Sequence, residues 1–474
     1  MIHPFQLARR EFLTRTASGL GAVAAATLLD PQLTQGAAAA DSRQRGVLGD
    51  THFLGKAKRV IFLFQAGGPS HIDLFDYKPR LLAEHGQEVP SSVLGTQRVN
   101  LTSRSVAKTC FGSPFNFSQH GQAGQWFSDR LPYMAETADK WCIIKSVHSE
   151  PINHDPAVTF MQTGQQQAGR PAIGSWMHYG LGSDCRDLPA YIVMISGTPN
   201  QPLLSRYWHS GFLPAKYQGV QFQSTGDPVM FLSNPSGIDH ADRGRMIDAV
   251  SQLNQLKHQQ VFDPEIEARI DAFQMAYQMQ TSVPDLIDFS DEPQHILDAY
   301  GPDVHEKDKF AYQCLLARRL AERGVRFVQI FHSGWDQHYT LRSDLSRQAR
   351  WADRPTAALI RDLDQRGMLD DTLVVWGGEF GRTAFQQQGT GRDHHPGCFT
   401  MALAGGGIQG GLTYGATDEY GYNVVENLVH VRDLHATMLH CLGIDHQRFT
   451  YPMQGLDARL TGVDPARVVT GILS

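Results

Sequence analysis

The 474-residue sequence has no C-x-x-C pair, no run of basic residues and no apolar stretch long enough to span a bilayer. Each absence closes off a class. Its six cysteines (Cys110, Cys142, Cys185, Cys314, Cys398 and Cys441) stand apart. That spacing fits neither a zinc cluster nor a thioredoxin-type redox pair, and isolated buried thiols are the expected state. A net charge of −6 without basic runs excludes a nucleic-acid partner. Gly19–Leu29 falls short of the roughly 20 apolar residues a membrane helix needs, so no transmembrane segment is expected in the mature protein. The G-x-G-x-x-G of a dinucleotide loop is absent, and "QAGGPS" does not replace it. Internal repeats are absent too. With 41% hydrophobic and 19% charged residues the chain is globular rather than disordered. What it has in quantity is histidine, 21 residues, many beside Asp, Glu or Gly instead of on apolar helix faces.

The first forty residues read as an address. Arg9-Arg10 precede Phe12-Leu13 and an Ala- and Gly-rich run, and "AAAAD" at Ala37–Asp41 offers a small-residue cleavage site. These features specify a twin-arginine signal over residues 1–40, read by the twin-arginine export machinery, and a linker over 41–55. The mature protein is then expected in the periplasm or outside the cell.

Residues 56–474 carry a repeated pattern. Short apolar runs stop at glycine in Val60–Phe64, "AYIVMISG", "GVRFVQIFHSG", "DTLVVWGGEFG" and "FTMALAGGG". Helical patterns lie between them, most clearly over 306–323 and 352–366. Continuous apolar strands alternating with helices predict an α/β fold with a mostly parallel central sheet covered on both faces. Asp239–Gln280 is polar and helical, with Pro264 starting its second helix, so about 205–300 reads as a helical insertion. In a sheet of this kind the site lies beyond the carboxyl ends of the strands.

Five stretches bring ionisable residues to such ends. After the first strand, "QAGGPSHIDLFDYKP" sets Ser70, His71, Asp73 and Asp76 at the mouth of the site, although Ser70 or Asp73 would also serve as a helix cap. "NHDPAVTFMQTG" presents His154 at a helix start. "FHSGWDQHYTL" places Asp336 and His338 two residues apart, so an extended segment aims both at one centre. An Asp oxygen with a His nitrogen suits Zn²⁺ or Mn²⁺ better than Ca²⁺. "WGGEFGRT" puts Glu379 at a strand end, as a metal ligand or as the ion-pair partner of Arg382. In "GRDHHPGCF", His394 and His395 are adjacent and point opposite ways, so one of them at most faces a metal.

These stretches resemble, in order, the sulfatase branch of the alkaline-phosphatase superfamily. His154, Pro156, Met161, Thr163 and Gly164 keep the register of the nucleophile motif C-x-P-S-R-x-x-L-x-T-G, with His154 at the Cys and Val158 at the Arg. Thr372–Val375 match the strand T-L-V-V-x-T-S-D-H-G, with Glu379 at its Asp and Phe380 at its His. Asp433, Thr437, Leu439, Gly443 and Ile444 match a segment near the sulfatase C-terminus. The whole pattern, with "GGPSHIDLFD", "GEFGRT" and "GRDHHP", is similar to a sulfatase-like exported family known as a domain of unknown function.

The departures from the sulfatase pattern are as informative. Ala66, Gly67 and Gly68 follow the first strand where sulfatases have Asp-Asp, which leaves Asp73 or Asp76 as substitutes. Without the Cys or Ser, formylglycine chemistry is impossible at position 154. The resemblance implies a metal-dependent hydrolase of an anionic sulfate or phosphate ester, a sulfated glycan among the candidates. Asp336, His338, Glu379, Asp73 and one of His394 and His395 would hold the divalent ion. His154 would be nucleophile or added ligand, and His71 a general acid or oxyanion partner. The alternative is a non-catalytic sulfatase-like surface protein that binds a glycan or a protein.

Overall fold

The structure, a computed structural model, describes residues 45–95, 107–197, 203–229, 234, 237–261, 264–387 and 389–474. The expected leader, including Arg9-Arg10, lies outside the described residues.

Strands β1 (Arg59–Ala66), β2 (Trp141–His148), β3 (Tyr191–Gly197), β4 (Val220–Gln221), β5 (Phe327–Ser333) and β6 (Thr372–Gly377) build most of the main sheet. After a two-stranded ribbon, β7 (Gly381–Gln386) and β8 (Arg392–His395), the chain adds β9 (Phe399–Ala404), β10 (Leu412–Tyr414) and β11 (Val429–His430) to it. The nine-stranded order is β10-β2-β9-β6-β1-β5-β3-β4, with β11 also on β2. Every pairing in this sheet is parallel except those of β9, which runs against both β2 and β6. β2 and β6 therefore run the same way as β1, β3 and β5, and all five end at one edge.

Alternation in β1 explains why that strand reads as one apolar run. Ile61 and Leu63 join one buried cluster while Val60, Phe62 and Phe64 join another, so both faces are covered. Helices α6 (Phe310–Glu322) and α7 (Leu341–Gln365) pack on the first face. Helices α2 (His154–Thr163), α3 (Ile173–Leu181) and α8 (Val431–Cys441) pack on the second; α1 (His71–Leu74) is a single turn beside the ribbon. Each fully buried Val, Leu, Ile or Phe contributes roughly 1.5–3 kcal/mol, so the sheet is a rigid base for whatever stands on its edge.

Several boundaries differ from the sequence reading. Helix α7 begins at Leu341, well before 352, because Leu341, Leu345 and Ala349 already form a buried stripe at helical spacing. Helix α6 begins at Phe310 rather than 306, after the extended Lys309. Strand β2 has no counterpart among the expected runs: Lys145 and Ser146 interrupt its apolar pattern, and Lys145 reaches the buried Asp76 at 3.3 Å. Polar helices α4 (His240–Val261) and α5 (Pro264–Ile287) follow the edge strand β4, and the second begins at Pro264. No helix among the described residues is long and apolar enough to cross a membrane.

Candidate metal centre

Four side chains meet above the edge where the parallel strands end. Asp336 and His338 come from the segment that follows β5, His154 from the first position of α2, and His394 from β8. Their nearest ligand atoms all lie within 4.8 Å of one another. His338 Nε2 is 2.8 Å from Asp336 Oδ1 and 3.0 Å from His394 Nε2. His394 Nε2 is 3.3 Å from Asp336 Oδ1, and His154 Nε2 is 3.2 Å from Asp336 Oδ2.

The far side of each imidazole fixes its tautomer. His154 Nδ1 lies 2.6 Å from Glu379 Oε1, and His394 Nδ1 lies 2.8 Å from the Ile152 carbonyl oxygen. His338 Nδ1 meets Gln387 Oε1. A carboxylate, a carbonyl and an amide oxygen can only accept, so each Nδ1 donates and each neutral ring turns a bare Nε2 lone pair inward. With all three rings neutral, three lone pairs and one carboxylate would face one point. That donor set is the chemistry of a cation site. Although 3.2 Å from Asp336 Oδ2, the buried His154 Nε2 makes no well-aligned hydrogen bond among the described residues, as suits a ligand atom.

Arg382 sets the charge of the cluster. Its buried guanidinium donates to Asp336 Oδ1 at 2.7 Å, to the Gly68 carbonyl at 2.8 Å, and to the carbonyls of Gly67, Trp335 and Arg392. Burial favours the neutral acid at Asp336. The Arg382 guanidinium and the three histidines outweigh it and hold this carboxyl well below the usual carboxylate range. At His154 burial likewise favours the neutral ring, but the Asp336 and Glu379 carboxylates raise its pKa to about 9. Burial dominates at His394, which falls to about 3. Phe380 closes one wall, its ring 4.9 Å from that of His154 and 4.4 Å from that of His394.

Gly67 makes the close approach possible. Its φ is +119°, and a Cβ there would stand 2.6 Å from the Asp336 amide nitrogen. The Gly67 N–H is shared by both Glu379 oxygens, at 3.0 and 3.2 Å. The loop after β1 thus supplies a backbone donor to Glu379.

Four of the expected site residues stand elsewhere. Glu379 is not in the inner group: Gly67 N–H and His154 Nδ1 occupy its oxygens, and it backs His154. Asp73 forms a buried two-point pair with Arg392, at 2.7 and 3.1 Å, and also accepts from Ser70. It is no ligand because Arg392 takes both its oxygens. His395 stacks on Tyr422 at 4.2 Å and its Nε2 lies 2.7 Å from the Tyr422 carbonyl, so His394 is the member of the pair that faces the centre. His71 is 1% exposed, with Nε2 2.9 Å from the Gly421 carbonyl and Nδ1 3.5 Å from the Arg382 amide nitrogen. A ring enclosed that way opens on no cleft and is not placed to act as a general acid. Sequence reasoning missed Gln387 and the Ile152 carbonyl, the first because nothing in "AFQQQG" distinguishes one glutamine, the second because a carbonyl has no sequence signal. Arg382 was visible only as an alternative partner of Glu379, whereas it pairs with Asp336.

No curated protein matches the chain by sequence. Among solved structures it is similar to a protein in the alkaline phosphatase superfamily from Vibrio parahaemolyticus. That match has 9% identity and a TM-score of 0.34 over 83% of this chain and 68% of that one. It is similar to the lipoteichoic acid synthase LtaP from Listeria monocytogenes (9% identity, TM-score 0.34, 90% and 79% covered). It is also similar to the PsFucS1 sulfatase from Pseudoalteromonas sp. (11% identity, TM-score 0.33, 81% and 68% covered). Residues 57–473 match the family model described as "Protein of unknown function (DUF1501)", and the chain belongs to that family.

Proposed function

We propose that this protein is an exported, metal-dependent hydrolase of a sulfate or phosphate ester. The observation that carries the reading is the convergence of three Nε2 atoms and the Asp336 carboxylate, each ring anchored at Nδ1. His154, Asp336, His338 and His394 would hold one divalent ion, Zn²⁺ or Mn²⁺. When bound, that ion supplies Lewis acidity toward the ester oxygen and activates water at neutral pH.

The chain's own residues do the rest. Glu379 keeps the proton on His154 Nδ1, so Nε2 is the nitrogen offered to the ion. Arg382 keeps Asp336 ionised. Helix α2 begins at His154 without a side-chain cap at Asn153, so its first N–H groups and dipole favour a negative charge brought beside His154. An anionic ester is the substrate class that this arrangement favours. Sulfatase and alkaline-phosphatase names among the similar structures accord with it.

The test is turnover of 4-nitrophenyl sulfate and 4-nitrophenyl phosphate by the exported protein. Hydrolysis of one of them, abolished by a chelator and restored by Zn²⁺ or Mn²⁺, is the expected result. A metal-loaded protein that turns over neither aryl nor glycosyl esters would return the chain to the non-catalytic reading.

A further inference from the structure

Tyr339 follows the ligand His338, and its side chain is 62% exposed. Of the large apolar side chains left exposed among the described residues, it is the one joined in sequence to a member of the metal cluster. Its ring lies edge-on to the His338 ring, with centroids 6.3 Å apart. Its hydroxyl makes no hydrogen bond among the described residues.

The backbone beneath it is fixed. Thr390 donates to the Tyr339 carbonyl from its amide at 2.9 Å and from its hydroxyl at 3.2 Å, and Thr340 bridges to Thr390. Gly391 packs so closely that a Cβ there would fall 1.9 Å from the His338 carbonyl carbon. The backbone is therefore tied to the ribbon, and the exposed ring stands beside that of His338. Exposing an aromatic face on an anchored backbone forgoes its burial, and a ligand that covers it finds the ordering cost already met.

We infer that Tyr339 is a platform for the alcohol part of the ester, and that this alcohol is a ring, aryl or glycosyl. The inference rests on the hydrolase reading and names its substrate class. An ester whose anionic end sits at the four-ligand cluster would extend its leaving group over the His338 edge, where the Tyr339 face is free to stack on it. Tyr339 selects substrate in this account and takes no part in the chemistry.

The experiment measures affinity on the Zn²⁺-loaded full chain by calorimetry, so it needs no turnover. The probes are phenyl sulfate, glucose 6-sulfate and ethyl sulfate, with the three corresponding phosphates. Wild type is expected to bind one or both ring-bearing anions more tightly than the ethyl ester. Tyr339→Ala is expected to cut that ratio by about fivefold to tenfold, the size of one stacking contact. Tyr339→Phe and Tyr339→Trp should keep it, which separates lost stacking from a folding defect. A preference for phenyl or for glucosyl names the ring. An unchanged ratio in Tyr339→Ala, no ratio in wild type, or no binding of any of these anions would each overturn the inference. Ring-selective binding by a protein that hydrolyses none of them would leave Tyr339 as assigned and remove the hydrolase reading alone.

Discussion

His154 Nδ1 lies 2.6 Å from Glu379 Oε1, and the carboxylate that holds it is itself held by the Gly67 N–H. A strand-end acid thus stands behind a histidine of the cluster, where the proposed centre would have it orient that ring. Outer partners of this kind tune affinity by about 10- to 100-fold. Glu379→Gln keeps the size but sets an amide N–H2 toward the Gly67 N–H or toward His154. Its Zn²⁺ affinity, read by competition with a chromophoric chelator, is expected to fall by about that factor with the fold intact. An affinity within about twofold of wild type would show that Glu379 does not position His154.

A pH effect is expected far from the site. Asp353 on α7 accepts the backbone N–H groups of Tyr133 and Met134 at 2.9 and 2.7 Å. Burial nonetheless pushes its carboxyl up to about 7. A folded-state pKa raised above the unfolded value of 3.8 means stability fully present below about pH 4 and lost as pH rises toward 7. At about 1.4 kcal/mol per pKa unit, the loss is of order 4 kcal/mol at most. Asp353→Asn cannot titrate, so its stability relative to wild type should rise between pH 4 and pH 8 in denaturant titrations. A difference that stays flat or shrinks would mean that the two N–H donors outweigh burial.

Under the proposed function, export is expected to depend on the leader. Arg9→Lys combined with Arg10→Lys is expected to leave precursor in the cytoplasm, because the export receptor reads the arginine pair as an address. Fractionation and immunoblotting check this. Normal delivery of the double variant would contradict a twin-arginine route.

The sheet was largely readable because β1, β3, β5, β6 and β9 are short apolar runs closed by glycine, and buried parallel strands have that pattern. Strand β2 was not, since Lys145 belongs to an ion pair that only the tertiary fold reveals. Three members of the inner cluster, Asp336, His338 and His394, were legible from position at strand ends, and His154 from its place in a nucleophile frame. What spacing could not resolve is which acid stands in front of a histidine and which behind it. Glu379 and Asp336 look alike as sequence, and only Arg382 and Gly67, each assigned to one of them by the fold, tell them apart. Asp73 and His71 drew notice through the same motif, but their partners Arg392 and Gly421 lie more than three hundred residues further along the chain.

The central claim is a single ion held by His154, Asp336, His338 and His394, and metal content tests it most directly. Elemental analysis of protein matured through its own export route should give about one equivalent of Zn²⁺ or Mn²⁺ per chain. His154→Asn, Asp336→Asn, His338→Asn and His394→Asn should each lose most of it, because ligands of one centre fail together. Folded wild-type protein that takes up neither ion, or His154→Asn and Asp336→Asn variants that keep their full equivalent, would contradict the account.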